Sequence, residues 1–377
     1  MKIGVIGAGR LGLCFALLCE KAGYEVLASD VREGYIRDLK KGVVGTPEPG
    51  VHELLWNAKN IEFTTDNERV ILESDIIYTL VATPSTPHGD YDVSAVWQVV
   101  EDIRSVENVA GKAFVVGCTT NPGDCDDFQA SLKGYEVNVF YNPEFIAQGS
   151  IIKDLQYADM VLIVGESNKT YDQLCELYNR IQVTQPQISI MSLTAAELVK
   201  LAVNCFLTTK ISYANMVGEV MSLSGMSEEI DTVLGAIGAD SRIGNKYLKY
   251  GYGYGGPCLP RDNRAFAAYA KKLNLEYNLG ETTDKFNDEH SQFLVDDCVS
   301  RHAGLPFYFD YVSYKKGTDI ITESQQLRLA KDLLEEGYTV YINDLPVVID
   351  QIRYVLSQYG DRVKFEEPTE EVYRVTL

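Results

Sequence analysis

The sequence predicts an α/β protein: an N-terminal Rossmann-type doubly wound sheet, a helical middle with a long connecting helix, and a second, shortened Rossmann-like unit. Three observations predict it. A glycine fingerprint sits in strand–turn–helix context at the N-terminus, an unbroken helical pattern of about 30 residues follows near the centre, and a new strand–helix–strand pattern begins near Leu305. The implied domains are 1–192, 193–300 and 301–377, each long enough for its own core.

The first element is the apolar run Ile3 to Ile6, which leads into Gly7-x-Gly9-x-x-Gly12 and an apolar-periodic helix to Lys21. Gly23 stops that helix, and "EVLAS" forms a second strand ending at Asp30. This is the dinucleotide-binding pattern in its required context. Gly7 permits the tight turn, Gly9 lets backbone approach a pyrophosphate, and Gly12 lets helix and strand pack closely. The pyrophosphate would meet free N–H groups at the helix start, around Arg10 and Leu11. Asp30 would accept hydrogen bonds from the adenosine ribose, and its charge repels a 2′-phosphate, so the expected cofactor is NAD. Arg32 stands two residues beyond it.

Further strand–helix units begin at "DIIYTLVATP" (75–84), "AFVVGCTTNPG" (113–123), "VNVFYNPEF" (137–145) and "DMVLIVG" (159–165). Strand ends of a doubly wound sheet open onto its ligand crevice, which places Thr83, Thr119 and Glu144 there. The central helix, within "SLTAAELVKLAVNCFLTTKISYANMVGEVMSLSG", carries Thr194 and Glu197 at capping-box spacing and Gly225 as its stop. It is expected to link two domains and to offer a face to a second subunit. Lys200 and Asn204 share one face at i, i+4 spacing, beside apolar Leu201 and Phe206. A cation and an amide aimed together suit an oxyanion.

Composition excludes several classes. The chain is 46% hydrophobic and 23% charged, ordinary for a globular protein, and no apolar run approaches a membrane span. The N-terminus enters a strand at once, leaving no room for a signal peptide, so a cytoplasmic location is expected. Eight cysteines show no Cys-x-x-Cys pair and the four histidines are scattered, which argues against a metal site or a disulfide framework. Cys14 and Cys19 read as core residues. A net charge of −20 argues against nucleic acid and anionic membranes as partners. Against that background, Ser241 to Arg261 holds Arg242, Lys246, Lys249 and Arg261 and no acid, where the chain average would give roughly three. That stretch suits an anionic ligand. It ends in "YGYGYGGPCLPRD", a loop whose glycines and prolines make Cys258 an improbable core residue.

With these pieces in place, the chain resembles the UDP-glucose/GDP-mannose dehydrogenase family. The resemblance rests on "GVIGAGRLG", "EPGVHELL", "VATPS", "YNPEFIAQGSIIKDL", "ELVKLAVNCFLTTKISYAN", "DSRIGNKYL", "GYGYGGPCLPRD" and "KKGTDIITES", in family order over nearly the whole chain. It implies oxidation of a nucleotide sugar's CH₂OH to a carboxylate, with UDP-glucose to UDP-glucuronate as the simplest case. Two hydride transfers then need two NAD⁺, and Cys258 would hold the aldehyde as a thiohemiacetal and then a thioester. By the same resemblance, Glu144 would be the base for hydrolysis and Asp262 would orient or deprotonate water. Lys200 and Asn204 would stabilise oxyanions, and Thr119 would hold a water. Thr83, Thr119, Gln148 and Arg261 join the cofactor set. Phe145, Ile146, Arg242, Lys249, Tyr250, Tyr254, Gly255 and Lys315 join the substrate set, Arg242 reaching in from a neighbouring subunit of a homodimer built on the long helix. GDP-mannose or a UDP-N-acetylhexosamine as substrate, a two-electron 3-hydroxyacid-type dehydrogenase, and a non-catalytic binding protein are the competing readings.

The resemblance weakens toward the end. Thr322 stands where the family's TDD-x-RES pattern has arginine, Tyr311 where a glycine is expected, and Gln148 where many members carry an acid. The "STVP"-like segment reads Cys118-Thr119-Thr120-Asn121, and Leu377 follows "VKFEE" closely.

Overall fold

A computed structural model describes residues 1–302 and 304–376. The chain forms two compact units, Met1–Lys200 and Leu201–Leu377.

In the first unit, six strands make one parallel sheet: β1 (Lys2–Ile6), β2 (Glu25–Ser29), β3 (Ile61–Thr64), β4 (Ile76–Thr79), β5 (Ala113–Val116) and β6 (Asn138–Tyr141). Their order, β3-β2-β1-β4-β5-β6, reverses direction between β1 and β4, the doubly wound arrangement expected from the sequence. Strands buried on both faces read as continuous apolar runs, and Ile3, Val5, Ile76, Ile77, Phe114 and Val115 are at most 1% exposed. Helices α1 (Arg10–Lys21), α2 (Glu33–Leu39), α3 (Val51–Asn57), α4 (Asn67–Glu73), α5 (Ser94–Ser105), α6 (Asp124–Leu132), α7 (Ile151–Gln156) and α8 (Lys169–Ile181) complete the unit with a parallel strand pair, β7 (Met160–Leu162) and β8 (Gln187–Ser189). Strand β3 was not foreseen. It is an edge strand of four residues, half-exposed at its start, and its hydrophobic signal is correspondingly faint. Cys14 and Cys19 are buried in the core, as expected.

The long helix α9 spans Leu193–Leu223. Gly225 ends it with φ +75°, its N–H bonding Ser222 O while Met226 N–H reaches Met221 O. The capping box at its start does not form. Ser192 Oγ accepts the Ala195 N–H instead, and Thr194 donates to Asp126. Glu197 is wholly buried and accepts from Thr120 Oγ1 at 2.7 Å, Gly123 N at 2.7 Å and Cys125 N at 2.9 Å. Three neutral donors in the loop before α6 and its first turn won over the helix's own N-terminus. Phe206, read as part of an apolar contact face, is 65% exposed in the single chain.

The second unit continues with α10 (Ile230–Gly238), α11 (Leu259–Lys272) and α12 (Leu279–His302). Beyond them, β9 (Phe307–Phe309), α13 (Gln325–Glu335), β10 (Val340–Ile342), α14 (Pro346–Val355), β11 (Val363–Lys364) and β12 (Tyr373–Arg374) form a small parallel sheet ordered β11-β10-β9-β12. Ser324 caps α13 and Gly337, at φ +94°, ends it. The strands are shorter than the apolar runs: only three residues of "FYFDYVSY" pair, because Asp310 and Tyr311 turn away after β9.

Candidate active site

In the first unit, the turn after β1 is bound to the end of β2, with Gly7 N and Ala8 N both donating to Ser29 O. A Cβ on Gly12 would lie 2.0 Å from Gly7 O, so helix and turn meet backbone to backbone. A Cβ on Gly9 would meet nothing within 4 Å. That open face at the start of α1 is the cradle a pyrophosphate needs, and the residues present fit a dinucleotide. Asp30 follows β2 with its side chain 8% exposed, and Arg32 donates to it through Nε and Nη2, both at 2.8 Å. Burial works to raise the Asp30 carboxyl, but these bonds prevail and hold it below the usual range. Arg32 also lies over the Tyr35 ring at 4.2 Å, and Arg10, Arg32, Tyr35, Thr46 and Val51 line one pocket. Arg10 donates to Gln148 Oε1 at 3.2 Å, which joins two residues of the expected cofactor set. Thr83 is buried after β4 and Thr119 half-buried after β5.

The segment after β6 carries Asn142, Glu144, Phe145 and Ile146. Lys200 Nζ donates to Glu144 O at 3.0 Å and lies 4.9 Å from the Phe145 ring centre, so the lysine is fixed against the very segment that bears the expected base. Ile146 is partly buried against the core. The Glu144 carboxyl is pushed up to about 7 by burial, opposed by a hydrogen bond from Tyr178 and the charge of Lys200. Tyr178, which no sequence pattern singles out, lies on α8 with its hydroxyl within hydrogen-bond reach of both Glu144 and Asn142. Glu48 was missed as well. It is 2% exposed and accepts from Gly149 N and Ile151 N, fixing the loop that carries Gln148.

In the second unit, Cys258 is the N-cap of α11 and half-buried, while six of the eight cysteines are buried. Its sulfur thus stands at the positive end of a 14-residue helix. Asp262, one turn on and 2% exposed, accepts from Asn204 Nδ2 at 2.5 Å. Asn204 follows Lys200 by one turn of α9, as its spacing required. Arg261 is half-buried beside Asp262.

The loop before Cys258 is held by side chains from two helices. Asn215 of α9 accepts from Gly251 N at 3.1 Å and donates to Tyr252 O at 3.3 Å. Asn287 of α12 accepts from Tyr254 N at 2.8 Å and donates to Tyr254 O at 3.1 Å. His290 Nε2 bonds Gly251 O at 2.7 Å, and its Nδ1 lies 2.6 Å from Glu219. The two amides act as the missing strand partners of an isolated extended segment. A Cβ on Gly255 would lie 2.2 Å from Glu323 O, which packs the loop against the turn before α13.

Other expected substrate residues are placed less uniformly. Tyr254 is 2% exposed and its hydroxyl is engaged by Asp284 and Asn263, so it serves the framework of the loop. Tyr250 is partly buried against Gly218 and edge-on to His290. Lys249 and Lys315 are exposed. Arg242 is 86% exposed and folded onto Asp240, whose two oxygens accept its Nε and Nη2. The acid-free stretch therefore has its counter-ion one residue before it begins. Thr322 is exposed, and its neighbour Glu323 takes an ion pair from Arg264 at 2.7 Å.

The fold and the glycine turn define a dinucleotide-binding protein. Residues 1–182 match the NAD binding domain of the UDP-glucose/GDP-mannose dehydrogenase family and residues 194–289 match its central domain. The chain belongs to that family, and it is an NAD-dependent nucleotide-sugar dehydrogenase. It is 30% identical to the UDP-glucose 6-dehydrogenase YwqF of Bacillus subtilis, over 99% of this chain and 85% of that protein. It is 27% identical to the GDP-mannose 6-dehydrogenase of Pseudomonas aeruginosa, over 95% of this chain and 84% of that one. Among solved structures, a UDP-glucose dehydrogenase from Pyrobaculum islandicum superposes with a TM-score of 0.85 at 28% identity, covering 97% of this chain and 86% of that one. Among the described residues, no helix is long and apolar enough to cross a membrane.

Proposed function

We propose that the chain oxidises the C6 alcohol of UDP-glucose to the carboxylate, retaining the aldehyde on Cys258 between two oxidations. The observation that carries this reading is the placement of Cys258: half-buried at the start of α11, with the Asn204–Asp262 pair one turn beyond it. Bound NAD⁺ supplies the hydride acceptor for each oxidation. Gly9, Arg10 and Asp30 would hold it, the first two at the pyrophosphate and the last at the ribose. Lys200 and Asn204 would stabilise the alkoxide and the tetrahedral oxyanions. The Cys258 sulfur adds to the C6 aldehyde to give a thiohemiacetal, whose oxidation leaves a thioester. Water then attacks the thioester carbon while Glu144 takes its proton, and the thiolate departs with its electron pair. Asp262 and Thr119 would orient that water. Arg242, Lys249 and Lys315 supply cations for the nucleotide's phosphates.

UDP-glucose is favoured over GDP-mannose because "DSRIGNKYLKYGYGYGG" resembles the UDP-sugar branch. We further propose three domains, 1–192, 193–300 and 301–377, a cytoplasmic location, and a homodimer through α9. Phe206, Tyr213, Met216, Val220 and Leu223 support the dimer, since this helix exposes all five. The deciding experiment incubates the protein with NAD⁺ and each of UDP-glucose, GDP-mannose and UDP-N-acetylmannosamine. UDP-glucose should yield two NADH per sugar. One NADH per molecule of substrate, or none with every sugar, would exclude the four-electron reaction.

A further inference from the structure

We propose that Tyr178 is a positioning residue that governs the proton on Glu144 by turning its single O–H between Glu144 and Asn142. The inference rests on the reading of Glu144 as the hydrolytic base. Its basis is a count of donors and acceptors. Asn142 Nδ2 donates to Leu162 O at 2.7 Å, which fixes the amide so that Oδ1 faces the tyrosines. Tyr78 O–H reaches that oxygen at 3.2 Å. Tyr178 Oη lies 2.6 Å from the same Oδ1 and 2.5 Å from Glu144 Oε1. One phenolic proton thus faces two acceptors, and Tyr78, Asn142 and Tyr178 are each 1% exposed, so water does not supply a second.

Two proton arrangements satisfy the group. With Glu144 ionised, Tyr178 donates to the carboxylate and Tyr78 alone serves Asn142. With Glu144 protonated, its O–H donates to Tyr178, and Tyr178 turns to Asn142. The proton that Glu144 takes from the attacking water, and later returns to solvent, is therefore accommodated by rotation of one hydroxyl, with every heavy atom in place. That is the property required of a group that takes a proton from water and must shed it before the next turnover. The other ionisable groups facing Glu144 are Lys200 on α9, whose charge favours the carboxylate, and Cys19 on α1, a buried thiol held well above its usual range. Burial holds the Cys19 thiol too high to exchange a proton with Glu144 near neutrality. The shift of Glu144 to about 7 agrees with this placement.

The test is Tyr178→Phe, which keeps the ring and removes the hydroxyl. A carboxylate without its donor, still desolvated, is harder to form, so the acid limb of kcat should move up by about one pH unit. At pH 7 kcat should fall by about fivefold, recovering at pH 9. A loss equal at every pH, or no change, would overturn the proposal. Glu144→Gln separates the two layers: turnover at the parent rate would remove the base reading itself. A second measurement stands apart from activity. The carboxylic C=O infrared band that disappears in Glu144→Gln should titrate near 7 in the parent protein and higher in Tyr178→Phe. An unshifted band would overturn the proposal whatever the kinetics show.

Discussion

Residues 7–12 and 251–256 are both glycine-rich turns leading into helices, and they are restrained differently. In the first, Ser29 O at the end of the neighbouring strand accepts Gly7 N and Ala8 N, and Gly12 packs directly on Gly7 O. Its hydrogen bonds come from β1, α1 and β2, a single supersecondary unit, and only the backbone of Leu80 and Val81 after β4 presses on it from further along the chain. In the second, the backbone groups of residues 251, 252 and 254 are satisfied by Asn215, Asn287 and His290, side chains about 35 residues away on two helices. The first turn is specified locally and is a general device for binding a dinucleotide. The second is specified by the rest of its unit, so its shape depends on polar side chains distant from it in sequence.

The largest effect expected from this contrast is at Gly12. A methyl group there would sit 2.0 Å from a backbone oxygen that is held by the sheet, and neither side can yield. Gly12→Ala should weaken NAD⁺ binding by at least about 100-fold and lower the melting temperature, since it prises the turn from the helix. Protein fluorescence titrated with NAD⁺, alongside a thermal melt, measures both. Retained affinity would mean that the turn tolerates displacement, and the local-specification view would fail.

A smaller but still clear effect is expected at Asn287. Its loss leaves the Tyr254 N–H and C=O without partners in a buried position, at about 1–3 kcal/mol each. Asn287→Ala should therefore destabilise the second unit by about 2–4 kcal/mol and change the alkylation rate of Cys258. Asn287→Asp keeps the acceptor for the N–H and should lose less. Urea unfolding and iodoacetamide labelling read the two consequences separately. If labelling of Cys258 is unchanged while stability falls, the amide supports the fold without shaping the loop.

The same contrast explains what the sequence made legible. The NAD-binding turn, Asp30, every strand of the sheet except β3 and the continuous helix of Lys200 and Asn204 are each marked by a short-range pattern in the chain. Lys200 and Asn204 lie one turn apart on α9 as their spacing implies, whereas Cys258 stands out by its glycine- and proline-rich loop and Asp262, one turn into α11, only through the family resemblance. Glu197 was misread because spacing alone could not show three donors waiting at the start of α6 and in the loop before it. Tyr178, Glu48, Asn287 and His290 left no signal at all. An internal tyrosine or asparagine on a helix looks the same in sequence whether its polar atom meets solvent or an essential backbone group.

The smallest effect is expected at Glu219, and it discriminates between two ways His290 could hold the loop. Gly251 O can only accept, so His290 Nε2 must carry a hydrogen in the fold. The other ring nitrogen faces the Glu219 carboxylate at 2.6 Å with the imidazole side chain fully buried. If charge pairing were the essential feature, neutralising Glu219 would release the loop. If the bond to Gly251 O is what matters, Glu219→Gln should be nearly neutral. The ring then adopts the tautomer with its proton on Nε2, while the glutamine amide donates to Nδ1. The expected change is below about 1 kcal/mol in stability and less than about threefold in kcat/KM. His290→Ala removes the bond and should cost more than Glu219→Gln by both measures. Equal losses in the two variants would show that the ion pair, and with it the helix-to-helix contact, fixes the loop in place of the single hydrogen bond to Gly251.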